Sequence, residues 1–132
     1  MNRKNTKYYK NPIKILIIYN KKNLNDLKCI RYINRFKIKA KKVSSENFRK
    51  ENLGKYFKYW TGDYILHLSS YHKISEKNLK RARYAINFHP GSPKYPGSGA
   101  YTKAIYNSDR TFGITTHFMN KKIDNGKIIK YF

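Results

Sequence analysis

The sequence predicts an α/β fold: a Rossmann-like three-layer sandwich on a mainly parallel sheet. Three observations point that way. Short apolar runs rich in Ile, Leu and Tyr recur along the chain. Stretches of helical spacing separate them, and strands alternating with helices argue for βα units. No repeat and no Gly/Ser-rich linker divides the 132 residues, so one domain is expected, covering residues 13–132 behind a basic arm at residues 1–12.

Each element has its own signal. Lys14-Ile-Leu-Ile-Ile-Tyr19 is an unbroken apolar run and suits a strand covered on both faces. Leu24, Leu27, Ile30, Tyr32, Ile33 and Phe36 lie near helical spacing, which predicts an amphipathic helix over 24–36 with Cys29 as a small core residue. Ile38 to Val43 alternates and reads as a less buried strand. Ser44-Ser45-Glu46 can cap a helix through Phe48, Leu53 and Phe57, which Gly62 ends. Asp63 to Ser69 is a strand, Ser75 to Arg81 a short helix, and Tyr84 to His89 a strand. A loop with Pro90, Pro93, Pro96, Gly91, Gly97 and Gly99 follows, the densest Pro/Gly cluster in the chain. Ala100 to Tyr106 is a helix opened by Gly99, and Gly113–Met119 and Lys127–Phe132 are the last strands.

Composition limits the function classes. Thirty Lys+Arg against seven Asp+Glu give a net charge of +23, which suits an anionic partner such as nucleic acid or a phosphorylated metabolite. A coding bias toward Lys, Asn, Ile and Tyr fits the same numbers. One cysteine excludes an intrachain disulfide framework and a Cys-rich zinc site, and no metal is expected. No run of 18 apolar residues predicts a membrane span, and the polar start lacks a signal-peptide core, so the expected location is cytoplasmic.

In open α/β sheets, ligands bind beyond the carboxyl ends of the strands. Asn87 and His89 stand at such an end, two residues apart and so on one face, and Asp124 lies in the turn signal Lys121-Lys-Ile-Asp-Asn-Gly126. An amide, an imidazole and a carboxylate suit acyl transfer. Asn87 can donate to a developing oxyanion, His89 can donate and move a proton, and Asp124 can orient the ring. On spacing alone, a strand cap at His89 and a local turn at Asn87 are the favoured reading. Gly97-Ser-Gly99 ahead of a helix is a weak phosphate signal beside its plain reading as a turn. His72 reads as an exposed loop histidine.

The stretch Ala85-Ile-Asn-Phe-His-Pro-Gly-Ser-Pro-Lys-Tyr-Pro-Gly-Ser98 resembles the signature of the folate-dependent formyltransferases. Gly113-Ile-Thr-Thr-His117 and Asp124-Asn-Gly-Lys-Ile-Ile129 follow in the family's order, and the resemblance runs from Asp63 to Ile129. It implies transfer of a formyl group from N10-formyltetrahydrofolate to an amine, with Asn87, His89 and Asp124 in the catalytic positions. It further implies folate contacts along Leu68, Ser70, Tyr71 and Ile74 and around Met119 and Ile123. Tyr95, Gly97, Ser98 and His117 would line the acceptor's side, His117 having packing beside the strand as its alternative role. The family's domains are usually longer, so the resemblance implies a sandwich shortened at the C-terminus. The position after the first strand, Tyr19-Asn-Lys-Lys-Asn23, lacks the glycines of the purine-pathway enzyme, and the loop after His89 differs from the leucine-rich loop of the tRNA enzyme. The resemblance therefore implies a small anionic amine as acceptor, such as an amino-sugar nucleotide. Methionyl-tRNA, or an inactive basic relative that binds nucleic acid, is the alternative. A terminal edge strand at Lys127 to Phe132 would favour a homodimer or a further covering segment.

Overall fold

The computed structural model describes residues 12–36, 38–45, 54–70 and 72–132. Most of the basic arm, Glu46, Phe48 and Leu53 of the second expected helix, and Tyr71 lie outside the described residues.

The elements run β1 Ile15–Tyr19, α1 Leu24–Arg35, β2 Ala40–Ser44, α2 Gly54–Phe57, β3 Gly62–His67, α3 Glu76–Leu79, β4 Ala82–His89, α4 Ala100–Tyr106, β5 Thr115–Phe118 and β6 Ile128–Tyr131. They form a six-stranded mixed sheet in the order β2-β1-β3-β4-β5-β6. The first four strands are parallel, while β5 and β6 run antiparallel to their neighbours.

Packing explains the strand sequences. β1 lies between β2 and β3, and Leu16, Ile17 and Ile18 are all buried, which is why its apolar run is unbroken. Leu16 and Ile18 share a face with Ile65, Val43 and Ala85, and Phe57, Ile74 and Leu79 cover that face. Each of these side chains larger than alanine contributes about 1.5–3 kcal/mol by leaving water. On the opposite face, Tyr64, Tyr84 and Phe118 stand in a row across β3, β4 and β5, with ring centroids 5.6 and 5.9 Å apart. A smaller cluster joins Tyr95 to Ala100 and Ala104 of α4.

α1 departs from its expected packing. Asn23 caps it, Oδ1 accepting from the N–H groups of Asn25 and Asp26. The buried residue of α1 is Asp26, whose carboxylate accepts from the Asn20 N–H at 2.7 Å and closes the β1–α1 loop. Leu27, Ile30 and Ile33 are half-buried beside it. The stripe centred on Asp26 leaves Leu24, Tyr32 and Phe36 exposed, and Cys29 is exposed rather than a core residue. Tyr32 and Phe36 instead pack edge-to-face on each other. Among the described residues no helix is long and apolar enough to cross a membrane.

Candidate active site

Strand register builds the site. His67 of β3 pairs with Asn87 of β4, and Asn87 with His117 of β5. These three side chains form a row on the face that carries Ile65 and Ala85, with His89 two residues further along β4. The buried face of the sheet thus turns polar at its rim. Because β5 is antiparallel, the chain leaves it near the middle of β4, where the Met119 N–H donates to the Ala85 carbonyl. The turn before β6 then brings Asp124 back over the row.

Asp124 is the hub. Its Oδ1 accepts from Asn87 Nδ2 at 2.8 Å and lies 3.3 Å from His117 Nε2. Its Oδ2 accepts from the Gly97 N–H at 2.8 Å and lies 3.1 Å from His89 Nδ1. The backbone at Asp124 is left-handed, φ 48°, a conformation that Asp and Asn tolerate better than other side chains. The side chains of His89, His117 and Asp124 are only 6, 3 and 11% exposed, so little water screens them.

The charges follow from these contacts. Burial alone would raise the Asp124 carboxyl, but the bonds from His117, His89 and the Gly97 N–H outweigh it and hold the group well below the usual carboxylate range. The Asp124 bond raises His89 above its ordinary value against the opposing effect of burial, and does the same for His117. His89 Nε2 lies 2.8 Å from the Tyr95 carbonyl, so both ring nitrogens face acceptors, as an imidazolium requires. His117 Nδ1 faces the Phe118 carbonyl at 2.9 Å.

Other residues singled out by the sequence are placed as follows. The Tyr95 ring is buried against α4 and its hydroxyl accepts from Asn107 Nδ2 at 2.9 Å, so its carbonyl, not its phenol, meets His89. Gly97 has φ 79° and lends its N–H to Asp124, while Ser98 is exposed. Leu68 and Ile74 are buried, Ser70 is half-buried and Ile123 is 57% exposed. Met119 packs against the core and borders a cleft of about 650 Å³ that is also lined by Lys80, Arg83, Lys121 and Lys122. His72 is half-buried rather than exposed, and its carbonyl lies 3.2 Å from His67 Nε2. His67 itself was missed by the sequence reading. The available signal was a histidine at the inward parity of the apolar run Tyr64-Ile-Leu-His67. Among the described residues no cluster of His, Cys, Asp and Glu could hold a metal ion.

An α/β sheet with an amide, two imidazoles and a carboxylate gathered at its rim defines a class of proteins suited to acyl-group transfer. The chain belongs to the formyl transferase family, whose model matches residues 4–131. It is 36% identical over 81 residues to phosphoribosylglycinamide formyltransferase of Haemophilus influenzae, a match covering 58% of this chain and 37% of that protein. It is 30% identical over 86 residues to methionyl-tRNA formyltransferase of Campylobacter lari, covering 64% and 28%. The fold matches the formyltransferase PseJ of Anoxybacillus kamchatkensis, solved with UDP-4,6-dideoxy-4-formamido-L-AltNAc and tetrahydrofolate, with a TM-score of 0.65 and 19% identity over 90% of this chain and 59% of that one. The matched part of the chain thus spans well under half the length of these two curated relatives.

Proposed function

We propose that the protein transfers a formyl group from N10-formyltetrahydrofolate to the amine of a small anionic acceptor, with an amino-sugar nucleotide as the leading class, and that it works in the cytoplasm. The observation that carries this reading is the hub: one carboxylate within 3.3 Å of Asn87, His89 and His117. Membership of the family supports the reaction, and PseJ is a protein of this fold whose complex holds a sugar nucleotide together with a folate.

When bound, the folate supplies the formyl carbon and a nitrogen leaving group; the chain's own residues do the rest. As the acceptor amine adds to the formyl carbon, the formyl oxygen becomes negative. Asn87 Nδ2 keeps one hydrogen on Asp124 and offers the other to that oxygen. His89 Nε2–H, now on the Tyr95 carbonyl, is the second donor, and the oxygen takes the carbonyl's place. Asp124 keeps His89 protonated at the outset and, through a water, helps draw off the proton the amine sheds without itself retaining it. That proton ends on the folate nitrogen as its bond to carbon breaks. The cationic residues around the cleft beside Met119 suit the folate's carboxylates, with Lys80 also paired to Glu76.

Net charge favours a second reading, formylation of methionyl-tRNA, because +23 would pair with phosphates. The test is turnover of N10-formyltetrahydrofolate by wild type and His89→Ala with amino-sugar nucleotides, glycinamide ribonucleotide and methionyl-tRNA, with product read by mass. We expect formylated sugar nucleotide from wild type alone. Formylation of tRNA with an affinity that falls steeply with salt would favour the second reading. Nucleic-acid binding without folate binding would indicate the inactive relative, and equal turnover by His89→Ala would sink the chemistry. A homodimer paired through β6, which is exposed along its length, belongs to the same proposal and is checked by analytical ultracentrifugation.

A further inference from the structure

His67 ends β3 directly opposite Asn87, with 5% of its surface exposed. Its Nδ1 lies 2.8 Å from Asn87 Oδ1, and its Nε2 lies 3.2 Å from the His72 carbonyl. The far end of the Asn87 side chain decides which atoms carry protons. Nδ2 sits 2.8 Å from Asp124 Oδ1, and an ionised carboxylate only accepts, so the amide nitrogen must face it. Oδ1, an acceptor, is then left against His67 Nδ1, which must carry the hydrogen. Burial pulls the His67 pKa down, so the ring is neutral and holds one proton. Nε2 faces an acceptor as well, the His72 carbonyl, which opposes burial, but with a single proton the shorter contact at Nδ1 takes it and the 3.2 Å contact is left as the weaker one.

We propose that His67 is a positioning residue for Asn87: its Nδ1–H holds Oδ1 and stops the carboxamide from rotating. Without it the amide is held at its Nδ2 end alone, by Asp124, and can swing about its last side-chain torsion, which is broad for Asn. With it, one Nδ2 hydrogen stays on Asp124; His117 Nε2 lies 3.2 Å from the same nitrogen but is itself a donor to Asp124 and cannot accept, so the other hydrogen is left for the site. Carboxylate, amide and imidazole form a chain in which each hydrogen bond polarises the next. His67 touches neither reacting atom in this scheme; it acts through Asn87. The kinetic consequence rests on the formyl-transfer reading, whereas the proton assignment does not.

Two variants and one spectrum test this. His67→Leu removes the donor and keeps an apolar side chain of moderate size. His67→Asn places an amide N–H where Nδ1 was. For formyl transfer, we expect His67→Leu to lower kcat by about tenfold or more, less than the 10²–10³ that outright loss of an oxyanion donor costs. KM for formyl-folate should stay within about twofold, since only the interaction made as the oxygen turns negative is lost. His67→Asn should recover most of the rate. Unchanged kcat in His67→Leu, or equal loss in both variants, would overturn the proposal.

The spectrum is a nitrogen-15 tautomer measurement on the wild-type imidazoles, which needs no substrate and no mutant. A proton on His67 Nδ1 is expected, and a proton on Nε2 alone would overturn the inference even if the enzyme is active. If wild type formylates nothing, the function reading fails while the positioning is still decided. The Asn87 side-chain amide hydrogens should then be protected from exchange in wild type and His67→Asn, and equal protection in His67→Leu would refute the role. If His67→Leu does not fold, the tautomer and His67→Asn carry the test.

Discussion

Replacing Asp124 with Asn keeps the shape and a left-handed backbone that Asn accepts, and removes one charge from among four donors. The consequence for the imidazoles can be worked from the contacts. The Asp124 bond is the largest influence raising both His89 and His117, and burial opposes it. With the charge gone, burial outweighs the bonds to the Tyr95 and Phe118 carbonyls that still raise the rings, and both should titrate below the ordinary value of about 6.5, each unit of change corresponding to about 1.4 kcal/mol. The fold should weaken as well. The new amide has one acceptor where the carboxylate had two. If its NH₂ faces the Gly97 side, His89 can drop a proton and accept, but the Gly97 N–H cannot. One buried donor left unpaired costs about 1–3 kcal/mol. The assay is a proton NMR titration of the imidazole Cε1–H signals in wild type and Asp124→Asn, beside thermal unfolding of both. Because the rings share one carboxylate, the apparent pKa values belong to the cluster. Wild-type signals should titrate above 6.5 and variant signals below. If both proteins titrate at the same pH, the carboxylate does not hold the imidazoles charged and the mechanism built on it falls.

Three further outcomes follow from the same contacts. A methyl at Gly91 would come within 2.6 Å of both His89 Nε2 and the Ala100 Cβ, so Gly91→Ala should destabilise by about 1–3 kcal/mol and displace the ring, seen as a lower urea midpoint and a shifted His89 signal. Tyr95→Phe should cost about 1 kcal/mol by losing the Asn107 hydrogen bond yet leave the His89 titration alone, because His89 meets the carbonyl; a moved His89 pKa would count against that assignment. Stability against pH has a sign set by the raised histidines: their contribution is complete below about pH 6.5 and drains as pH climbs through their folded values. The melting-temperature advantage of wild type over Asp124→Asn should therefore be larger at pH 6 than at pH 9, and parallel curves would contradict it.

Much of the molecule could be read from its sequence. α4 matches its expected bounds, and most strands fall within two residues of theirs, because short apolar runs between turn signals leave few other options. β4 begins earlier than expected, since Ala82 and Arg83 look like linker until Gly62 at the start of β3 pairs with Ala82. α1 shows the limit of periodicity. Apolar spacing ranks Leu24, Tyr32 and Phe36 as inward, but it cannot see that a carboxylate closing a loop takes the buried position. The spacing of Asn87 and His89 gave their shared face. Asp124 entered through its motif, and its reach depends on β5 turning back, which no local pattern announces. His67 escaped for a related reason: its contact is with a residue twenty positions away, and only the register of two parallel strands sets it there.

The Asp124 carboxylate also has a mechanical consequence. Two surface loops, the Pro/Gly stretch after β4 and the turn after β5, are buckled together where the Gly97 N–H and the His89 ring seize the same oxygen. Unfastening that buckle would let both loops swing and would let the amide hydrogens near Gly97 trade with solvent. An oxygen arriving at the Nε2 side of His89 leaves Nδ1 on the carboxylate, so the site can exchange what it holds while both loops stay fastened.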